Sequence, residues 1–373
     1  MRLVNTATER LVQLVSPPAH YAILSHTWDV GEVSFQDVEN GCAPERRGYA
    51  KFQGAVKLAR DQGYKYIWID NCCIDKSSSA ELSEAINSMF TWYRRSSKCY
   101  VYLHDVSASP EHSSSSASAS TADNSPIHDQ HFRQQLNRSR WFLRSWTLQE
   151  LIAPSSVHFY DRGWTWLGIK NDPAWTGALN ELTGISYEVL QYPEGYKNAS
   201  VAQRMSWAAN REATREEDIS YSLFGVFDIN MAPLYGEGGP SAFRRLQEEI
   251  IRRHADDSIL AWNPAPHDAK SWSQSTYALH RGLAALAHSP ACFRDARDIV
   301  HFLSPWAFEL ENMAMTPLGL LLEAPVIHKV HGSSTATASL SPWSMTGASV
   351  SAAYCSSRAA AVLSPTRQNL VKD

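Results

Sequence analysis

Three short runs in the first third of the chain are apolar or aromatic at almost every position: YAILS (21–25), YIWID (66–70) and CYVYL (99–103). Unbroken apolar runs of this length mark strands buried on both faces, as in a parallel sheet. Between them the pattern changes to a helical period. In GYAKFQGAVKLARDQG, Phe52, Val56 and Ala59 share one face, and Gly63 stands where a C-terminal cap falls. In SSAELSEAINSMFTWYRRS, Leu82, Ile86, Met89 and Tyr93 form a stripe, and Ser78 with Glu81 reads as a capping box. A further helix, RSWTLQEL (144–151), precedes VHFY (157–160), a fourth strand. The alternation predicts an α/β fold, a doubly wound parallel sheet with right-handed crossovers that ends near residue 170.

The regular pattern breaks twice. SASPEHSSSSASASTADNSP (107–126) is a serine-rich, low-complexity insertion inside this first domain, 1–170, and is expected to be flexible. Beyond 170 the pattern becomes mainly helical through 171–265. Ser200 and Gln203 open one helix as a capping box, and PSAFRRLQEEIIRRHAD turns Phe243, Leu246 and Ile250 to one side. SILAW (258–262) reads as a strand. Residues 266–325 form a mixed segment without a readable role. Residues 326–373 are rich in Ser, Ala and Thr, lack amphipathic pattern, and are expected to be a disordered tail.

Composition removes several classes of function. Of 373 residues, 44% are apolar, enough for a sizeable core. The 34 basic and 38 acidic residues leave a slight negative balance without a basic run, which argues against nucleic acid. No apolar stretch is long enough to span a bilayer, and the first residues lack a signal-peptide layout. Six scattered cysteines suit a reducing, cytoplasmic setting better than a disulfide framework.

The candidate chemistry collects at strand ends. LSHTW (24–28) closes the first strand with Ser25, His26 and Trp28, and IDNCCIDK (69–76) closes the second with Asp70, Asn71 and Asp75. Ligands of doubly wound sheets lie beyond the carboxyl ends of the strands, so these residues should share a rim. Glu150, early in RSWTLQEL, faces the same rim and stands four residues after Trp146, a spacing that sets it beside that indole. Cys72 or Cys73 near His26 is a weaker nucleophile candidate, because no local signature surrounds it. The fourteen histidines show no metal-ligand spacing, no phosphate-cradling glycine motif follows a strand, and GEGGP (236–240) is explained by a turn. No metal and no bound cofactor are expected.

YAILSHTW, YIWIDNCCIDK, ELSEAINSMFTWYRRSSKCYVYLHDV and SRWFLRSWTLQELIAP closely resemble the fungal heterokaryon-incompatibility (HET) domain. RMSWAANREATREEDISYSLFGVFDINMAPLYGEGGPSAFRRLQEEII resembles the segment that commonly follows it, so the likeness runs over about residues 1 to 265. Asp29 stands where a glycine usually follows SHTW, with Gly31 two places on. HET proteins act in self/non-self recognition after hyphal fusion, where they trigger regulated cell death. The family is similar to Toll/interleukin-1 receptor (TIR) domains, which have a flavodoxin-like parallel sheet. RSWTLQEL is close to their S-x-W-C-x-x-E-L helix motif, with Thr147 where cysteine is usual and Ser145 one place nearer the tryptophan.

The resemblance implies a role for each rim residue. Glu150 corresponds to the catalytic glutamate of TIR domains that cleave NAD, so NAD enters as a substrate rather than a cofactor. Ser25, His26 and Trp28 would line the substrate pocket, and Asp75 would approach from the second loop. The alternative is a non-catalytic, self-assembling signalling adaptor in which Glu150 is structural and pairs with Arg140 or Arg144. Either version implies a homo-oligomer and a non-self or signalling protein partner.

Overall fold

The computed structural model describes residues 1–108, 126–254, 256–263, 286–300, 313–316, 319–325, 358–363 and 368–370. The serine-rich segment expected over 107–126 lies outside these residues except at its ends. Two compact units are distinct: 1–198 with 210–239, and 199–209 with 240–373.

The first unit is built on a seven-stranded sheet. In chain order its strands are β1 (Arg2–Asn5), β2 (Leu11–Gln13), β3 (Ala22–His26), β4 (Tyr66–Trp68), β5 (Lys98–Leu103), β6 (Val157–Asp161) and β7 (Trp166–Ile169). In space they run β2-β1-β4-β3-β5-β6-β7. The four strands read from apolar runs, β3 to β6, run parallel to one another. All five residues of β3 are buried, as a central parallel strand requires.

The expectation of a wholly parallel sheet needs correction at the edges. β1 pairs antiparallel with β4 and β2, and β7 pairs antiparallel with β6. The links Thr6–Arg10 and Arg162–Thr165 are too short for a crossover, so each can only close a hairpin. Trp164 sits in one of these turns at φ +62, a left-handed conformation that is uncommon outside glycine.

Helices flank this sheet much as the periodicity requires. Tyr49–Asp61 stops just before Gly63, which adopts φ +82. Ser79–Arg95 buries Ile86, Met89 and Tyr93, and Ser78 caps it by accepting the Glu81 N–H. The expected box is only half formed, because the Glu81 carboxylate instead accepts from Arg2 and from the Asp75 N–H. Pro173–Thr183 covers the β6 side, where Trp175 stacks on Phe159 at 4.5 Å between ring centroids.

In the second unit, Ser200 and Gln203 form the full capping box of helix Val201–Ser206. Helix Gly239–Arg253 buries Phe243, Leu246 and Ile250, as its periodicity predicts. SILAW is not a strand: Asp256 accepts the Ser258 N–H and caps a 3-10 turn over Asp257–Leu260. Met313–Thr316, Gly319–Pro325, Arg358–Leu363 and Gln368–Leu370 pair in that order as an antiparallel sheet. The last two strands fall within the tail expected to be disordered, and the rest of that tail lies outside the described residues. Along RAAAVL the backbone finds partners in GLLLEAP that composition could not disclose.

Candidate functional site at the strand ends

The parallel strands occur in the order second, first, third, fourth, so the chain changes direction across the sheet between β3 and β5. Beyond the carboxyl ends of those strands lie two adjoining groups of side chains.

The inner group centres on Glu150. Its helix, Thr147–Ile152, is buried at every position, and Glu150 is 4% exposed. Ser25, at the end of β3, donates its hydroxyl to the Glu150 carboxyl and accepts the Trp141 indole N–H at 2.8 Å. Tyr93 is a second partner of the carboxyl, and its hydroxyl donates to the Leu24 carbonyl. Burial, with the charge of Asp70 second, pushes the Glu150 carboxyl up to about 8. The group is therefore largely protonated at neutral pH.

Two details differ from expectation. The indole tied into the Glu150 network belongs to Trp141, whereas Trp146 stands just before the helix and hydrogen-bonds Asp218. Arg140 does not pair with Glu150 either, because it reaches Asp29 at 3.2 Å.

The helix start is held from a distant part of the chain. Arg211 is buried and donates to the Arg144 carbonyl at 2.9 Å and to Thr147 Oγ1 at 3.0 Å. Burial lowers its guanidinium to about 9, and the nearby Glu150 opposes that shift. Backbone bonds from Ser145 N–H to Glu212 and from Glu212 N–H to Leu143 add a short bridge at the same place.

The outer group centres on Asp70, the first residue of helix Asp70–Cys73. One carboxylate oxygen lies 3.0 Å from His26 Nε2, and the other accepts the Trp28 indole N–H at 2.8 Å. Burial opposes ionisation of Asp70, but His26, Lys76 and Trp28 together outweigh it and hold the carboxyl below its usual range. Two neighbouring carboxyls thus have opposite characters, Glu150 protonated and Asp70 ionised. Beside this group is a cleft of about 160 Å³ whose walls include Trp28, Glu32, Phe35, Asn71, Ile74 and Lys76.

The rim residues are therefore divided. Ser25 touches Glu150, while His26 and Trp28 share Asp70. Asp75 joins neither group: its carboxylate accepts from Ser77 and from Gln36, which lies on the cleft wall. Trp28 lines the cleft, and Glu150 does not. Trp141, Tyr93 and Arg211 were not legible as site residues, since each comes from a segment that reads as ordinary core or surface. Asp70 was visible among the strand-end acids, but its position between His26 and Trp28 was not.

Residues 21–150 match the heterokaryon incompatibility protein (HET) family, and residues 241–327 match a domain of unknown function (DUF8212). The chain carries a HET domain over residues 21–150. Over 247 residues it is 44% identical to Vegetative incompatibility protein HET-E-1 of Podospora anserina, a match that spans 66% of this chain and 17% of that relative. The chain thus corresponds to under a fifth of the curated relative's length. No solved structure matches it. Among the described residues, no helix is long and apolar enough to cross a membrane.

Proposed function

We propose that this chain acts in heterokaryon (vegetative) incompatibility as a cytoplasmic, self-associating trigger of regulated cell death on non-self recognition. At the chemical level, the proposed act is TIR-like cleavage of NAD with Glu150 at its centre. The HET-family match and the name of the Podospora anserina relative support the first part. The second-first-third-fourth order of parallel strands, shared with flavodoxin-like sheets, supports the second.

The observation that carries the chemical reading is the pair of carboxyls at the strand ends. Neighbouring acids driven to opposite protonation states are a recurrent device of acid–base and glycosidic chemistry. Hydrolysis of NAD breaks the bond between the ribose C1′ and the pyridinium nitrogen. Nicotinamide leaves with the bonding pair, and water adds to C1′ and loses a proton. The approaching pyridinium charge favours loss of the Glu150 proton, and the resulting carboxylate stabilises the oxocarbenium-like centre. Loss of such a preorganised group costs on the order of 10²–10³ in turnover.

One observation favours the adaptor reading instead. Glu150 is closed off beneath Ser25 and Trp141 and does not line the cleft, which suits a structural acid. Expression of the wild type and Glu150→Gln in fungal cells separates the two. The catalytic reading expects the folded variant to be silent. Cell death at wild-type strength would instead make the domain an adaptor.

A further inference from the structure

Trp28 turns one face of its indole to the cleft and is 37% exposed. Over that ring stands the Lys76 ammonium, 3.3 Å from the centroid. The Arg144 guanidinium lies farther off, at 5.9 Å. The indole N–H is bound by Asp70, and an ionised acceptor there increases electron density on the ring and its pull on a cation. Glu32 and Asp29 add carboxylates to the cleft wall, and Phe35 and Ile74 supply apolar surface.

Lys76 is held over the ring without an ion pair, and burial there lowers its ammonium from the usual lysine value. Its residue is exposed, and no carboxylate among the described residues lies within ion-pair distance of its ammonium. A move into water gives up this cation–π contact and the attraction of Asp70 but restores the hydration that burial has removed from the ammonium. Asn71 provides an independent sign of a ligand. It lies on the cleft wall, is 8% exposed, and its Oδ1 has no hydrogen-bond partner among the described residues. A buried acceptor without a donor is uncommon and calls for an explanation.

We propose that this cleft is a subsite for a cationic aromatic ring of the pyridinium class, stacked on Trp28, and that Lys76 occupies the ring position until such a ligand displaces it. At about 160 Å³ the cleft is below the ~300–1,000 Å³ of sites for drug-sized ligands, so it takes a single ring and not a dinucleotide. The inference rests on the NAD reading for the identity of the ring, while the stacking geometry stands on Trp28 and Lys76.

Binding can be tested without turnover, by titrating the full chain with the N-methylnicotinamide cation and with neutral nicotinamide. Lys76→Ala should bind the cation two- to fivefold more tightly than wild type and leave affinity for the neutral compound unchanged. Lys76→Arg should behave as wild type. Trp28→Ala should abolish cation binding, and Trp28→Phe, which keeps a ring, should retain part of it. Unchanged or weaker binding by Lys76→Ala, or wild-type binding by Trp28→Ala, overturns the subsite, as does failure of both wild type and Lys76→Ala to bind. If Lys76→Ala gains affinity but no variant consumes NAD, the subsite stands and the NAD reading falls.

Discussion

Glu150 shows how one residue can be well placed by sequence and yet have a state that only packing determines. Trp146, which the four-residue spacing set beside Glu150, bonds Asp218 instead, and the acid is enclosed without it. Its neighbours Ser25, Trp141 and Tyr93 come from other segments, and the protonation state follows from their enclosure. The consequence for stability has a definite sign. Folding raises the carboxyl from 4.5 to about 8, so between those values the folded chain holds a proton that the unfolded chain has released. The stability contributed is complete below about 4.5 and is lost as pH rises through about 8. Glu150→Gln imitates the protonated acid and removes this dependence. Melting temperature measured from pH 5 to 8 should therefore fall more steeply for wild type than for the variant. Parallel curves would mean that Glu150 is already ionised at pH 5. If the carboxylate is the active form, NAD turnover should also climb with pH towards 8, and a flat profile would count against that role.

Elements were legible in proportion to how uniformly they are buried. β3, β4, β5 and β6 announced themselves because both faces of each are covered, leaving few polar positions. The antiparallel strands β1, β2 and β7 have three or four residues each and half-exposed positions, so no period emerges from them. Their pairing depends on hairpin closure, which a short run does not encode. The strand-end rule gathered Ser25, His26, Trp28 and Glu150 at one rim, but could not separate the buried Glu150 group from the Asp70 group beside the cleft. That division depends on which atoms each side chain reaches.

The same limit hid Arg211, which ties residues 210–212 to the start of the Glu150 helix. Arg211→Met keeps most of the volume but removes the donors to the Arg144 carbonyl and Thr147. It should destabilise this region by about 1–3 kcal/mol. Hydrogen exchange of the full chain should then show lost protection at the amides of 147–152. Unchanged protection there would make the guanidinium dispensable to the helix.

At the scale of the whole molecule, the chain joins a sheet-based unit that carries the HET match to a second unit that includes the whole DUF8212 match. Self-association is part of the proposed function, and it gives turnover a concentration dependence. If a neighbouring copy completes the site, NAD consumed per chain should rise with protein concentration and level off once the chains are assembled. A constant specific activity over that range would place the complete site in one chain.

The central claim is that Glu150 acts on NAD. Its most direct test is nicotinamide release by the concentrated 373-residue chain beside Glu150→Gln, with folding matched by thermal unfolding. The account predicts release by the wild type and a loss on the order of 10²–10³-fold in the variant. No release by the assembled wild type, or equal release by both proteins, would contradict it.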